Sequence, residues 1–162
     1  MKVSRLTVDP FTNTPIIILR DEKGTEALPI WIGLIEASAI ASELEQIALD
    51  RPMTHDLMKT IIGETGLKVD RVEVHDVREQ TFYATIHLVG RGKKAIAVDA
   101  RPSDAIALAL RTGARICVAK KVIERARKVD LATGDGDSEH DAAVMKELLE
   151  SLSDEEFGKW KM

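Results

Sequence analysis

The chain has 162 residues, of which 44% are apolar and 31% charged, with a formal net charge of −4. That make-up belongs to a globular domain with a core and excludes a disordered chain. One cysteine, Cys117, excludes an internal disulfide, and no apolar run approaches the roughly 18 residues that span a bilayer.

In chain order, Val3–Val8 reads as a first strand and the isoleucine-rich Pro15–Arg20 as a second. Asp21-Glu22-Lys23-Gly24 is a turn, and Leu28–Ile32 completes a hairpin. A helix follows from about Glu36, with Ala37, Ile40, Ala41, Leu44, Ile47 and Ala48 on one stripe and Pro52 as its stop. Thr54 is the expected N-cap of a second helix that turns Leu57, Met58, Ile61 and Ile62 inward and ends near Gly66. Strands are expected over Val69–Val77, Phe82–Val89 and Ala95–Asp99, the last two joined by a turn at Arg91-Gly92-Lys93. Ser103 is the expected cap of a helix over residues 104–112, apolar on nearly every face and therefore buried, with Gly113 as its end. Ile116–Val118 reads as a short strand, residues 120–128 as a basic helix, 131–139 as a linker and 140–152 as a terminal amphipathic helix.

The chain looks doubled. A shift of 68 residues lays Ile18 on Ile86, Gly24 on Gly92, Ile30 on Val98, Glu36-Ala37 on Asp104-Ala105 and Ala41 on Ala109. The expected fold is therefore α+β, a mixed β-sheet with packed helices, built from two β-β-β-α units about a pseudo-twofold axis.

Charge is unevenly spread. Residues 130–162 hold ten acids against three bases, whereas the first 129 hold 20 bases and 17 acids. Seven bases between Arg111 and Lys128 face Glu124 alone. That run reads either as a phosphate-attracting surface that the acidic tail competes for, or as a solvated helix face. The N-terminal residues Met1-Lys2-Val3-Ser4-Arg5 lack the apolar stretch of a secretory signal, and a cytoplasmic protein is expected.

Two segments concentrate groups that can do chemistry. Asp99-Ala100-Arg101-Pro102-Ser103-Asp104 lies where a strand runs into a helix N-terminus, whose free N–H groups favour anions. Arg101 has the fork for a phosphate, and Asp99 and Asp104 have the oxygens Mg²⁺ or Mn²⁺ takes. Glu36 occupies the matching place in the other half. Equally, Ser103 is a cap, Asp104 offsets the helix dipole, and Asp99 pairs with Arg101. The second segment, Asp50-Arg51-Pro52-Met53-Thr54-His55-Asp56, sets an arginine, a histidine and a carboxylate at another helix start. His55 there is a general base or a metal ligand, or an exposed residue beside a capping Thr54. His75, His87 and His140 have no ligand partner at diagnostic spacing. P-loop, dinucleotide, nucleophile-elbow and zinc motifs are absent. Trp31 reads as core or interface, and an aromatic content of 4% argues against a stacking-based single-strand binder.

Five separated motifs carry a resemblance: Leu28-Pro29-Ile30-Trp31-Ile32-Gly33; Glu36-Ala37; Arg51-Pro52 with Thr54-His55-Asp56; Phe82-Tyr83-Ala84; and Asp99-Ala100-Arg101-Pro102-Ser103-Asp104-Ala105-Ile106-Ala107-Leu108-Ala109. Together, over about residues 1–130, they resemble the bifunctional nuclease domain family. The resemblance implies an α+β fold with a mixed sheet, often dimeric, and cleavage of both DNA and RNA. Some members carry a C-terminal UVR motif, which the acidic residues 131–162 do not resemble. The expected organisation is a nuclease-like domain over 1–130 and an acidic linker and helix over 131–162.

The expected function is metal-assisted phosphodiester hydrolysis with little sequence preference. Glu36, Asp99 and Asp104 would hold Mg²⁺ or Mn²⁺, His55 would be base or acid, and Arg51, Arg101 and Ser103 would bind phosphate. The partners expected are nucleic acid, through its backbone, and a second copy of the chain, with no membrane. The alternative is a non-enzymatic dimer that binds a ligand or a partner protein or acts in regulation.

Overall fold

A hairpin-connected meander begins the chain, and the computed structural model describes it within residues 1–79, 81–90 and 92–132. Strands β1 (Lys2–Val8), β2 (Pro15–Arg20) and β3 (Ala27–Trp31) form an antiparallel sheet in that order. Its central strand is the isoleucine-rich one, and Ile16 to Leu19 are all buried. A second sheet has the order β6-β5-β4-β7, from β4 (Lys68–Arg78), β5 (Thr81–Gly90), β6 (Lys93–Ala100) and β7 (Arg115–Val118). Its first three strands are antiparallel neighbours, and β7 returns parallel to β4 through helix α3 (Pro102–Thr112). The sheet is thus mixed, and the α+β expectation holds.

Helix α3 is the centre of the core. Ala105 to Ala109 are at most 1% exposed, and α3 lies against β4, β5 and β7, with α1 (Leu34–Leu44) and α2 (Thr54–Glu64) packed on it. Burying Ile106 and Leu108 contributes about 2–3 kcal/mol each. Gly113 ends α3 in the left-handed conformation, at φ 66°. Helix α4 (Lys120–Ala132) follows β7. The chain divides into two compact units, residues 1–124 and 125–162. Of the second, only the end of α4 is described, and the expected helix over 140–152 and nearly all of the 131–139 linker lie outside the described residues. Among the described residues no helix is long and apolar enough to cross a membrane.

Three expectations are corrected. Helix α1 stops at Leu44 rather than running to Pro52. Gln46 takes φ 52°, and the Ile47 amide reaches back to Ser42 O at 2.8 Å, closing the helix a turn after Ser42 and leaving Ile47 exposed. In α2 the inward stripe is His55, Met58 and Ile62, while Leu57 and Ile61 face solvent. The N-cap positions fall to Met53 and Arg101, so Thr54 is the first residue of α2 and Ser103 the second of α3, where it is buried. Pro102 explains the latter, because a ring with no N–H is best placed in the first helical position.

The order β-β-β-α recurs, and α1 and α3 have bounds 68 residues apart. The strand registers do not repeat: Ile16 pairs with Trp31, whereas Ala84, 68 residues on, pairs with Ala100 and not with Asp99. The likeness is one of element order, and a duplicated chain is not established by it.

Candidate functional site

The first turns of α1 and α3 meet at one arginine. Glu36 and Asp104 each hold the third position of their helix. Arg101, the residue at the N-cap of α3, places its guanidinium between them. Its Nη1 lies 2.7 Å from Glu36 Oε1, its Nε 2.7 Å from Asp104 Oδ2 and its Nη2 3.2 Å from Asp104 Oδ1. Two helix N-termini side by side would repel each other through their dipoles, and an acid in each first turn offsets that repulsion. Gly33 belongs to the same construction. A Cβ there would collide with the Glu36 carboxylate, which folds back over the start of α1.

Helix α2 brings His55 to the same point. Its Nε2 lies 3.2 Å from Asp104 Oδ1. The imidazole is 9% exposed, against 67% for the Arg101 side chain. Burial pushes the Asp104 carboxyl up, but hydrogen bonds from Arg101 and His55, together with their charges, outweigh this and hold it below the ordinary carboxylate value. With Nε2–H donated to Asp104, His55 Nδ1 carries the ring's lone pair. This is the arrangement in which a carboxylate orients a histidine for proton transfer.

Seven residues further along α1 and α3, about 10 Å, and one residue further along α2, a second ion-pair cluster spans the same three helices. Arg111 is buried, with a side chain 3% exposed. Its Nε donates to Asp56 Oδ1 at 2.7 Å, and its other nitrogens donate to Ala107 O at 3.1 Å and Ala39 O at 2.9 Å. Glu43 Oε2 stands 3.9 Å away. The Met53 amide donates to Asp56 Oδ2 at 2.8 Å. Burial raises the Asp56 carboxyl, and the Met53 and Arg111 bonds more than offset it, leaving it depressed. With both oxygens bonded, Asp56 is a structural partner of Arg111.

The remaining expected residues fall elsewhere. Asp99 pairs across the sheet with Thr85, while its neighbours Val98 and Ala100 pair with the buried Ile86 and Ala84. Strand alternation therefore turns Asp99 to the face opposite α3. Arg51 is exposed in the loop before α2 and makes no ion pair among the described residues. Ser103 is buried. Glu36 and Asp104 are thus assembled, but around a guanidinium and without Asp99. Among the described residues no three His, Cys, Asp or Glu side chains form a group that could hold a metal. The donors as placed do not fit the three-carboxylate set, and no step below runs through a metal.

Arg111 went unrecognised in the sequence, where it counted as one of the basic run. The available signal was a charge that ends the apolar run Ala105–Leu110, which must be paired when that helix is buried. Two others of that run are also paired, Arg115 with Asp70 at 3.7 Å and Lys121 with Asp76 at 3.6 Å.

The family model of the bifunctional nuclease domain matches residues 17–130. A protein of Mycobacterium tuberculosis (strain ATCC 25618 / H37Rv), described as uncharacterised, is 37% identical over 164 residues, covering 97% of this chain and 96% of the relative. Bifunctional nuclease 2 of Oryza sativa subsp. japonica is 31% identical over 100 residues, 60% of this chain and 31% of its own length. Bifunctional nuclease 1 of Arabidopsis thaliana is 29% identical over 100 residues, with the same coverage of 60% and 31%.

Proposed function

Since this chain belongs to the bifunctional nuclease domain family, by its match over residues 17–130, we propose that it hydrolyses phosphodiester bonds of DNA and RNA where the starts of α1, α2 and α3 meet. The observation that carries this is the His55–Asp104–Arg101 contact, with Nε2 at 3.2 Å from one carboxylate oxygen and Arg101 Nε at 2.7 Å from the other. His55 takes a proton from the attacking water, Asp104 holds the imidazole in the tautomer that leaves Nδ1 free, and the exposed edge of Arg101 meets the phosphoryl oxygens. Two helix N-termini add about half a positive charge each, which balances the excess acid of Glu36 and Asp104. Because water is the nucleophile, a 2′-hydroxyl is not needed, and contacts to phosphate alone serve DNA and RNA alike. The acid pair is already offset by Arg101 together with the two helix N-termini, so cleavage by this route needs no ion between Glu36 and Asp104.

Asp104→Asn tests the site. Cleavage is expected to slow by about tenfold or more, since the amide no longer fixes the imidazole. Stability should respond in a defined direction. The depressed Asp104 carboxyl contributes stability that is complete above the usual carboxylate range near pH 4 and is lost as pH falls through its lower folded value. The variant should therefore unfold at lower urea than the parent at pH 7, and the gap should narrow at pH 3. Unchanged cleavage by the variant contradicts the assignment.

A second reading, a non-enzymatic dimer, is favoured by a specific observation: Glu36, His55, Arg101 and Asp104 all find their partners within the protein. Phe11, Leu34 and Ile35 are 79%, 76% and 81% exposed, apolar surface of the kind a partner covers. We place a second copy of the chain there under either reading. Ile35→Asp should convert a dimer to a monomer in sedimentation equilibrium, without change in circular dichroism. A parent protein that sediments as a monomer removes the dimer.

A further inference from the structure

Strand β6 is an edge of the second sheet, with β5 on one side and, among the described residues, no strand on the other. From Ile96 to Ala100 its ladder to β5 is regular, so alternate N–H and C=O groups point outward with no strand to meet them. Between Ile96 and Lys93 the ladder slips by one residue, a bulge that contains Lys94. All residues from Lys94 to Asp99 are exposed, among them Ile96 at 43% and Val98 at 41%. These two pair with the buried Leu88 and Ile86 and share their face, which α3 covers over β4 and β5. Other edges are closed differently. Strand β3 carries Pro29, which has no N–H to offer, and β7 meets the Met1 ammonium, which donates to Ile116 O at 2.7 Å. Lys94 makes no ion pair or hydrogen bond among the described residues. At its other end β6 runs directly into Arg101.

We infer that β6 pairs antiparallel with β6 of a second copy about Ala97, and that Lys94 of each copy thereby binds substrate phosphate at the hydrolytic centre of the other. The inference rests on the nuclease reading above. A second copy is the occupant because the strand is complementary to itself. In an isologous antiparallel pair both copies present the same sheet face on the same side, so even-numbered positions of the regular stretch oppose even-numbered ones. Centring on Ala97 sets Ile96 against the partner's Val98 twice, and the exposed apolar side chains cover one another. It also keeps the two Asp99 carboxylates apart, whereas parallel pairing would oppose them directly. Centring on Ile96 would set charged positions on Val98 and lose the apolar match. About Ala97, the bulge with Lys94 lies one strand spacing, about 5 Å, from the partner's Ala100 and Arg101. With its acids balanced, the centre has only the exposed edge of Arg101 to set against a phosphodiester, and Lys94 adds a second cation there. Leu34 and Ile35 border the same place, because Glu36 beside them holds Arg101, so one partner covers both the start of α1 and the edge of β6.

The test is complementation between two impaired variants of the full chain. Lys94→Gln, at an exposed position, should slow cleavage about tenfold through loss of one charged contact, and His55→Gln should abolish it. Mixed one to one and allowed to exchange, half the dimers hold one chain of each kind, and one of their two centres has both His55 and the partner's Lys94. About a quarter of the parental rate should return, against about a twentieth if Lys94 acts only within its own chain. In a Cys117→Ser background, Ala97→Cys should give a cross-linked dimer under diamide, since residues that oppose themselves lie within disulfide reach. A mixture that stays near a twentieth of the parent overturns the shared centre, and Ala97→Cys that remains uncross-linked overturns the pairing. The outcomes separate this inference from the nuclease reading. If His55→Gln is dead while Lys94→Gln cleaves as the parent does, the shared centre falls alone. If His55→Gln cleaves as the parent does while Ala97→Cys cross-links, the catalytic assignment falls and the pairing stands.

Discussion

His55→Gln is expected to slow phosphodiester cleavage by about a hundredfold or more while leaving the fold intact. Glutamine can donate an amide N–H to Asp104, so the carboxylate keeps a partner and the site keeps most of its volume. What glutamine cannot do near neutral pH is take a proton from water. His55→Ala should be equally inactive and also less stable, by about 1–2 kcal/mol, because it leaves a gap and an oxygen with fewer bonds. The pair of variants matters because His55 is buried. A histidine serving only to join α2 to α3 would lose stability on truncation and recover it with glutamine. A histidine that moves protons loses its function in both. Rates measured with enzyme in excess, beside urea melts of the same preparations, separate the two roles.

Arg111→Leu is expected to produce the largest loss of stability of any substitution at the site. The buried guanidinium satisfies Asp56, Ala39 O and Ala107 O together. Removing it leaves two carbonyls short of a donor and a carboxylate short of its cation, at a cost of about 3 kcal/mol. Asp56 is 38% exposed, and water offsets part of its share. The fall in Tm should be roughly 10 °C. Arg111→Lys should not rescue it, since one ammonium cannot span three acceptors on three elements. Differential scanning calorimetry checks both variants. A loss below about 1 kcal/mol would mean that the second ion pair is a surface contact.

Much of this fold is legible in the residues because period and pattern are strong where the chain is buried. Strands β1 to β3, the buried helix α3 and the stop at Gly113 follow from alternation, an unbroken apolar run and a glycine free to take positive φ. The early end of α1 is not legible, since Ile47 and Ala48 continue its stripe and Gln46, not a glycine, takes the left-handed turn. The matching placement of Glu36 and Asp104, though not their convergence, was visible as a shift of 68 residues. Arg101 as the body between them was not, because spacing says which residues share a place and not which of them pair. Asp99 illustrates the same limit. One step along β6 from Ala100, it shares a motif with Arg101 and Asp104 yet faces the other side of the sheet. His55 looked exposed beside a cap, but it continues the stripe of Met58 and Ile62 at intervals of three and seven, and a polar residue on an inward stripe needs a partner.

One measurement bears most directly on the claim that a single centre at His55 cuts both nucleic acids. The parent and His55→Gln, purified side by side, are given one DNA and one RNA oligonucleotide in the presence of EDTA, with enzyme in excess. The expected result is that the parent cleaves both and that the variant loses both by a similar factor of about a hundred. Equal rates for parent and variant on either substrate would contradict it.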